Sequence, residues 1–539
     1  GGTDSTTGNT VMGYLAGASI SNEGVDNTIY GHKAGTAVTE GDDNIIIGNE
    51  AGKAVTIGRY NTAVGTQSLL TEDVGDRSVA IGYSALYSQN SDSNNEITGN
   101  VGIGFQAGNY NVTGQNNTYV GYAAGLGASG QSNSDNTGLG VQALLAITTG
   151  GGNVAVGSNA ANSLTTGASN VIIGKNAGHA SADVDKCVII GDSAAEGVLV
   201  AAADGTVCIG TSAGAAITSG AGNIAIGYQS AQTITTAGSN VSIGYQTMSG
   251  AHVESEQNVM IGRAAMQNST GSASSNNVGI GHGVFGGTMN AASNNIAVGH
   301  SALAALTTGD SNVSIGSVAG DAITDTSDVV LIGQGAGSAI NNTSADGSVG
   351  VGKNALLALT TGTGNTAIGY SVGQENVTGA KNTVIGYEAW DQSGDFANND
   401  NTFVGYHAGG GDWQAASIRN TGIGVETMAA AMNEGTGNTA VGWRALYAVT
   451  SGEWNTAIGD NCALSLTTGH KNVVIGHACD VPSGAIGRMV IGYDVDGTAD
   501  ETVTIGFQAD TASLGLDGSD TSWAAASSDE RYKENIEAS

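Results

Sequence analysis

The chain has 539 residues, among them 88 glycines and a single proline, Pro482, with 5% aromatic and 12% charged residues. Apolar residues still reach 40%, which excludes a disordered polar chain and fits a tightly turned β structure with small interior positions. The net charge of −32, tripled to −96 in a homotrimer, argues against nucleic acid and anionic membranes as partners, and no run of eighteen apolar residues offers a membrane span.

The opening GGTDSTTGN carries neither a methionine nor a signal peptide and reads as the start of a segment of a longer protein. From Gly13 onward one element repeats: a glycine preceded by an apolar residue, at Gly13, Gly31, Gly48, Gly65, Gly82, Gly104 and so on to Gly476, Gly492 and Gly506. There are 29 copies and 28 intervals, 15 of them 17 residues long and the rest between 14 and 22. Seventeen residues cannot hold a helix pair with two turns, but they make one coil of a parallel β-solenoid. At ~4.8 Å per coil the repeat predicts a shaft on the order of 130 Å.

Each column of the repeat has its own chemistry. One residue before the glycine, 27 of 29 copies carry Ile, Val or Leu, and three before it stand mostly Val or Thr, as at Val154, Val241 and Thr439. Two residues apart on a strand, these share a face, which is expected to line the coil interior. Three after the glycine a small residue recurs (Ala16, Ala85, Ala143, Ala302, Ala445), a second inward site. The position two before the glycine (Ile46, Ala63, Ala80, Tyr119, Ile172, Ile189) is expected to point outward, yet no copy is charged. A strand apolar on both faces is buried on both, so symmetry-related copies are expected to cover it, three being the number favoured. Four before the glycine, Asn fills 22 of 29 copies; it suits left-handed turns, and stacked amides are expected to bond one another.

The strings NVAVGSNA (153–160), NIAIGYQS (223–230), NIAVGHSA (295–302) and NTAVGWRA (438–445) resemble the head repeat of trimeric autotransporter adhesins. That family's N-S-V-A-I-G repeat implies a left-handed parallel β-roll with three chains side by side, over about residues 8–510. Its coil is about three residues shorter than the usual one here, and only the coil from Gly492 to Gly506 matches it, so handedness and cross-section stay open.

Among candidate contacts, the residue after the glycine is often aromatic or His: Tyr83, Tyr122, Tyr228, Tyr245, Tyr370, Tyr387, Tyr406 and Trp443, with His282, His300 and His477. Stacked, these form a column that either packs between protomers or binds sugar rings of a receptor, Tyr228, Tyr245, Tyr370, Tyr387 and Tyr406 being the residues to test. Longer intervals extrude loops at 88–100, 391–400 and 410–420, and Trp413 in the last is a candidate receptor contact. Cys462 and Cys479 share the small-residue column one coil apart, within disulfide range or as two buried free thiols; Cys187 and Cys208 fall in different columns. No cysteine spacing suggests zinc, and DVDGTAD (494–500) reads as an acidic turn rather than a calcium loop. No set of carboxylates, Ser/His/Asp or phosphate loop marks an enzyme, and no cofactor or metal is expected.

The chain ends SSDERYKENIEAS, in which Ser528, Asp529, Arg531, Lys533 and Ile536 resemble the S-D-x-R-x-K-x-x-I opening of the self-cleaving intramolecular chaperone domains of phage tailspikes and tail fibres. The resemblance implies Ser528 as nucleophile on the Ser527–Ser528 bond and neutral Lys533 as its base, a one-time autoproteolysis. A surface helix opening a coiled coil is the other reading of this segment.

The sequence thus predicts an all-β, homotrimeric parallel β-solenoid of about 29 coils ending in a short helical segment: a shaft over 1–510, a linker over 511–527 and the start of a chaperone domain over 528–539. The expected function is a structural and adhesive phage tail fibre, extracellular on the virion. Its partners are two further copies, other tail proteins and a host-surface glycan or protein receptor, without nucleic acid or membrane insertion. A bacterial trimeric adhesin and a polysaccharide-degrading tailspike are the alternatives.

Overall fold

The computed structural model describes residues 7–250, 254–268 and 272–516, and the backbone of Ala524 and Ala525. It divides into two compact units, Gly1–Asn276 and Asn277–Ser539. Each is an all-β parallel β-solenoid; together they hold about 29 turns of the 17-residue repeat. Helix among the described residues is confined to two single 3-10 turns, Ala201–Ala203 and Thr343–Ala345.

In the first unit the described strands run from Thr10–Met12 to Val259–Ile261, three residues each, every one paired in parallel with the next. The register follows the repeat: Val171 pairs with Val154 on one side and Val188 on the other. In the second unit the same pattern runs from Val278–Ile280, and the strands lengthen at the end to Val473–His477, Met489–Tyr493 and Thr502–Phe507. There Asp510–Gly515 turns back antiparallel onto Thr502–Phe507. The expected linker over 511–527 therefore begins as a strand. The expected terminal helical segment and residues 528–539 lie outside the described residues.

The key glycine closes each strand with a backbone no other residue adopts readily. Gly157 has φ +132°, and a Cβ there would stand 2.6 Å from the carbonyl oxygen of Gly174 one coil on. The chain turns sharply at this point and the strand ends after three residues, except in the last three coils, where it runs on through Gly476, Gly492 and Gly506.

The strand faces are the reverse of the expectation. The middle residue points inward: Ala155, Ile172 and Ile189 are buried, while the flanking Val and Ile positions are half-buried or exposed. The reason lies at the asparagine. Asn and the strand's middle residue are two apart and share a face, and the asparagine is held inside the coil.

Asn153 shows how it is held. Its backbone N–H and its Nδ2 both donate to Asn136 Oδ1 at 3.0 Å, and Nδ2 also donates to the Gly167 carbonyl at 2.8 Å. Its own Oδ1 accepts from the backbone N–H and Nδ2 of Asn170, at 3.1 and 2.9 Å. The amides thus form a ladder, as the stacked column predicts. The left-handed residue is the one before each asparagine, such as Asp135 (φ 60°) and Ser169 (φ 61°), not the asparagine itself. Arg488 holds the ladder position after Asn472: its N–H donates to Asn472 Oδ1 at 3.0 Å and its Nε to Asp500 Oδ1 at 2.7 Å.

The interior is filled by volume exchange between two columns. In several coils where the strand's middle residue is large, the position four after the key glycine is glycine: Ile46 with Gly52, Tyr119 with Gly125, Phe403 with Gly409. Where the middle residue is glycine, that position is large in four coils: Leu144 beside Gly138, Phe285 beside Gly279, Leu356 beside Gly350 and Met428 beside Gly422. Neighbouring coils share the space, since a Cβ on Gly138 would lie 3.0 Å from the Tyr119 ring of the preceding coil. A further inward column stands seven after the glycine, at Val38, Ile147, Leu164, Leu306 and Leu466. The small column three after it is buried as expected (Ala85, Ala143, Ala302, Ala445).

Candidate functional site

Turning Asn and the strand centre inward leaves the two flanking columns on the outside. Those columns are mostly Val, Thr or Ile three before the glycine and mostly Ile, Val or Leu one before it, and neither contains a charged residue in any of the 29 copies. In the first unit Ile81 is 37% and Leu139 47% exposed; in the second, Ile280, Ile368, Ile423 and Ile458 are exposed in the same way. Within each unit this makes a continuous uncharged apolar face along the parallel strands.

The residue after the glycine borders that face, and its rings stack. Tyr228 and Tyr245 lie 5.2 Å apart at 14° in the first unit; Tyr370, Tyr387 and Tyr406 stack at 5.1 and 5.9 Å in the second. Further ladders are Tyr83–Phe105–Tyr122, His282–His300 and His477–Tyr493–Phe507. All five candidate tyrosines are exposed. Within a ladder, however, ring faces cover one another, so Tyr387 offers only its edge and hydroxyl. The neighbouring Glu388 carboxylate holds that phenol above its ordinary range.

Trp413 departs from the expectation. The 410–420 segment folds inward, leaving Trp413 1% exposed, with Nε1 donating to the Gly409 carbonyl at 3.0 Å and its ring edge-on to Trp390 and Phe403. Glycines at 409, 410 and 411 remove the side chains that would keep it out, and a core residue cannot be a surface contact.

All four cysteines are free and buried. Burial pushes the Cys208 and Cys462 thiols up to about 12. Cys187 occupies an asparagine position, its N–H donating to Asn170 Oδ1 at 2.9 Å. In the 494–500 segment Asp500 is taken up by Arg488 and the Ile486 N–H, which hold its carboxyl below the ordinary range. Among the described residues no group of three or more His, Cys, Asp or Glu is placed to hold a metal, and no helix is long and apolar enough to cross a membrane. Ser528 and Lys533 lie outside the described residues. Comparison with protein-family models, with curated proteins and with solved structures finds no match to this chain.

Proposed function

We propose that this solenoid is the shaft of a homotrimeric fibre, a tail fibre carried on a phage virion and used in host attachment. The observation that supports trimerisation is the outward strand face: uncharged in every copy although 12% of the chain is charged, and half-buried or exposed in the single chain. A face with the same spacing in every coil stays in register only with a partner of equal spacing, and a second copy of this chain has it. Stacked tyrosines at the border of that face add ring edges and hydroxyls to the contact. The phage assignment rests on Ser528, Asp529, Arg531, Lys533 and Ile536, and the fibre's action is multivalent weak contact through three chains.

Sedimentation equilibrium tests the assembly. The wild type is expected at three times the 53.0 kDa chain mass, and Ile368→Asp with Ile385→Asp, on adjacent strands of that face, at a single chain mass with an unchanged circular dichroism spectrum. A monomeric wild type refutes it. The intact mass of the full reading frame's product beside Ser528→Ala tests the virion reading. A wild-type chain ending at Ser527 supports it; an uncut chain in both moves the assignment to a bacterial surface adhesin.

A further inference from the structure

The longest interval in the chain, 22 residues, lies between Gly82 and Gly104. Its extra residues are pinned. Buried Glu72 accepts from Gln89 Nε2 at 2.8 Å and from Ser91 Oγ at 3.1 Å. Gln89 in turn bridges the break that Ser78 makes in the amide ladder, donating to Ser78 Oγ and accepting from Asn100 Nδ2. Beside this pinned coil is a cavity of about 320 Å³, open to solvent and lined by three tyrosines, Tyr83, Tyr87 and Tyr110, and three amides, Gln67, Gln106 and Asn109.

The lining contains no charged side chain. Tyr83 heads its ladder: one face stacks on Phe105 at 5.2 Å, and no other ring of the described residues stacks on it. Asn109 is 4% exposed and fixed by its Nδ2 donating to the Ser84 carbonyl at 2.9 Å, which leaves Oδ1 without a partner among the described residues. Gln67 donates Nε2 to Glu50 and keeps its carbonyl oxygen, while the Gln106 amide has no partner among the described residues. Free donors, free acceptors and the half-exposed Tyr83 ring, with no cation for an anion and no carboxylate for a cation, match a ring that is apolar on one face and hydroxylated at its edge.

We propose that this cavity binds a pyranose ring of a neutral glycan, with Tyr83 as the stacking face and Gln67, Gln106 and Asn109 as hydroxyl partners. The volume falls in the range of small-ligand pockets, about 300–1,000 Å³. This rests on the reading of the chain as a fibre that meets a surface glycan, and gives that contact a place.

Saturation-transfer NMR of the full chain with the methyl glycosides of glucose, galactose, mannose and N-acetylglucosamine at millimolar concentration tests it. At least one sugar is expected to receive transfer on its C–H face. Gln106→Ala and Tyr110→Ala are each expected to weaken binding at least about tenfold, and Tyr387→Ala, in the middle of a ladder, to leave it unchanged. No transfer to any of the four sugars, or wild-type transfer in both cavity variants, overturns the site. Sedimentation of the same samples reports the trimer separately, so a trimer that binds no sugar overturns this inference alone.

Discussion

Replacing Asn153 by alanine removes four side-chain hydrogen bonds from the middle of the amide ladder, two donated and two accepted. Asn136 Oδ1 keeps the backbone N–H of residue 153, but the Gly167 carbonyl, the Asn170 N–H and one proton of Asn170 Nδ2 lose their partners. Asn136, Asn153 and Asn170 are at most 1% exposed, so solvent does not replace them. At about 1–3 kcal/mol for each of the three orphaned buried groups, the cost is about 3–9 kcal/mol, the lower end applying if one water enters the vacated space. Coils in a solenoid open in neighbouring groups rather than all at once, so the assay is native-state hydrogen exchange. The amides of 154–172 are expected to lose protection by at least about a hundredfold. Asn162→Ala, which gives up a single 3.4 Å bond to the Gln142 carbonyl, is expected to change it by less than about fivefold. Asn153→Asp adds a pH signature. Its carboxyl would face two acceptors, Asn136 Oδ1 and the Gly167 carbonyl, so the folded state raises its pKa above the unfolded value. The variant is therefore most stable in acid and weakens as pH rises through that raised value. A loss of less than about fivefold in Asn153→Ala, or an Asn153→Asp variant that strengthens with pH, refutes the ladder as a principal source of cohesion.

Gly422→Ala places a Cβ 2.8 Å from the Phe403 ring, and is expected to cost about 1–3 kcal/mol by overpacking; in a Phe403→Leu background the same change should cost clearly less, a coupling read by thermal melts of the four proteins. The Cys208 and Cys462 thiols, pushed up to about 12 by burial, favour the folded state below the ordinary thiol range, and that contribution is lost as pH climbs from about 8.5 toward 12. A thiol reagent at pH 8 is accordingly expected to leave both unmodified in the folded chain and to modify both in denaturant.

The glycine, asparagine and apolar columns are legible in the sequence because each coil imposes the same demand at the same place. Ala143 and Ala445 read as interior from their size alone, and they are. The strand faces do not read correctly, because Ile and Val one before the glycine look like core, and what reverses that reading is the asparagine, whose amide is polar yet buried. Once Asn153 is known to be inside, Ala155 must be inside too, and Val154 and Val156 must face out. Trp413 misleads for another reason: its coil, Gly405 to Gly424, is 19 residues long and rich in glycine, which reads as a surface loop, while its burial depends on Phe403 and on Trp390 of the coil before. The strand Asp510–Gly515 is hidden because the repeat has ended there and no column remains to mark it.

The volume exchange in the core has a consequence for how such a chain lengthens. The strands of successive coils pair in one register, so a single duplicated coil would meet its neighbours strand to strand. Its filling would not match. A second copy of the coil holding Tyr119 would bring a second ring where Gly138 now leaves room for the first. Duplicating that coil therefore has to carry the adjoining Gly138 coil with it, whereas coils of like filling, such as those holding Ala63 with Leu69 and Ala80 with Leu86, already stand side by side.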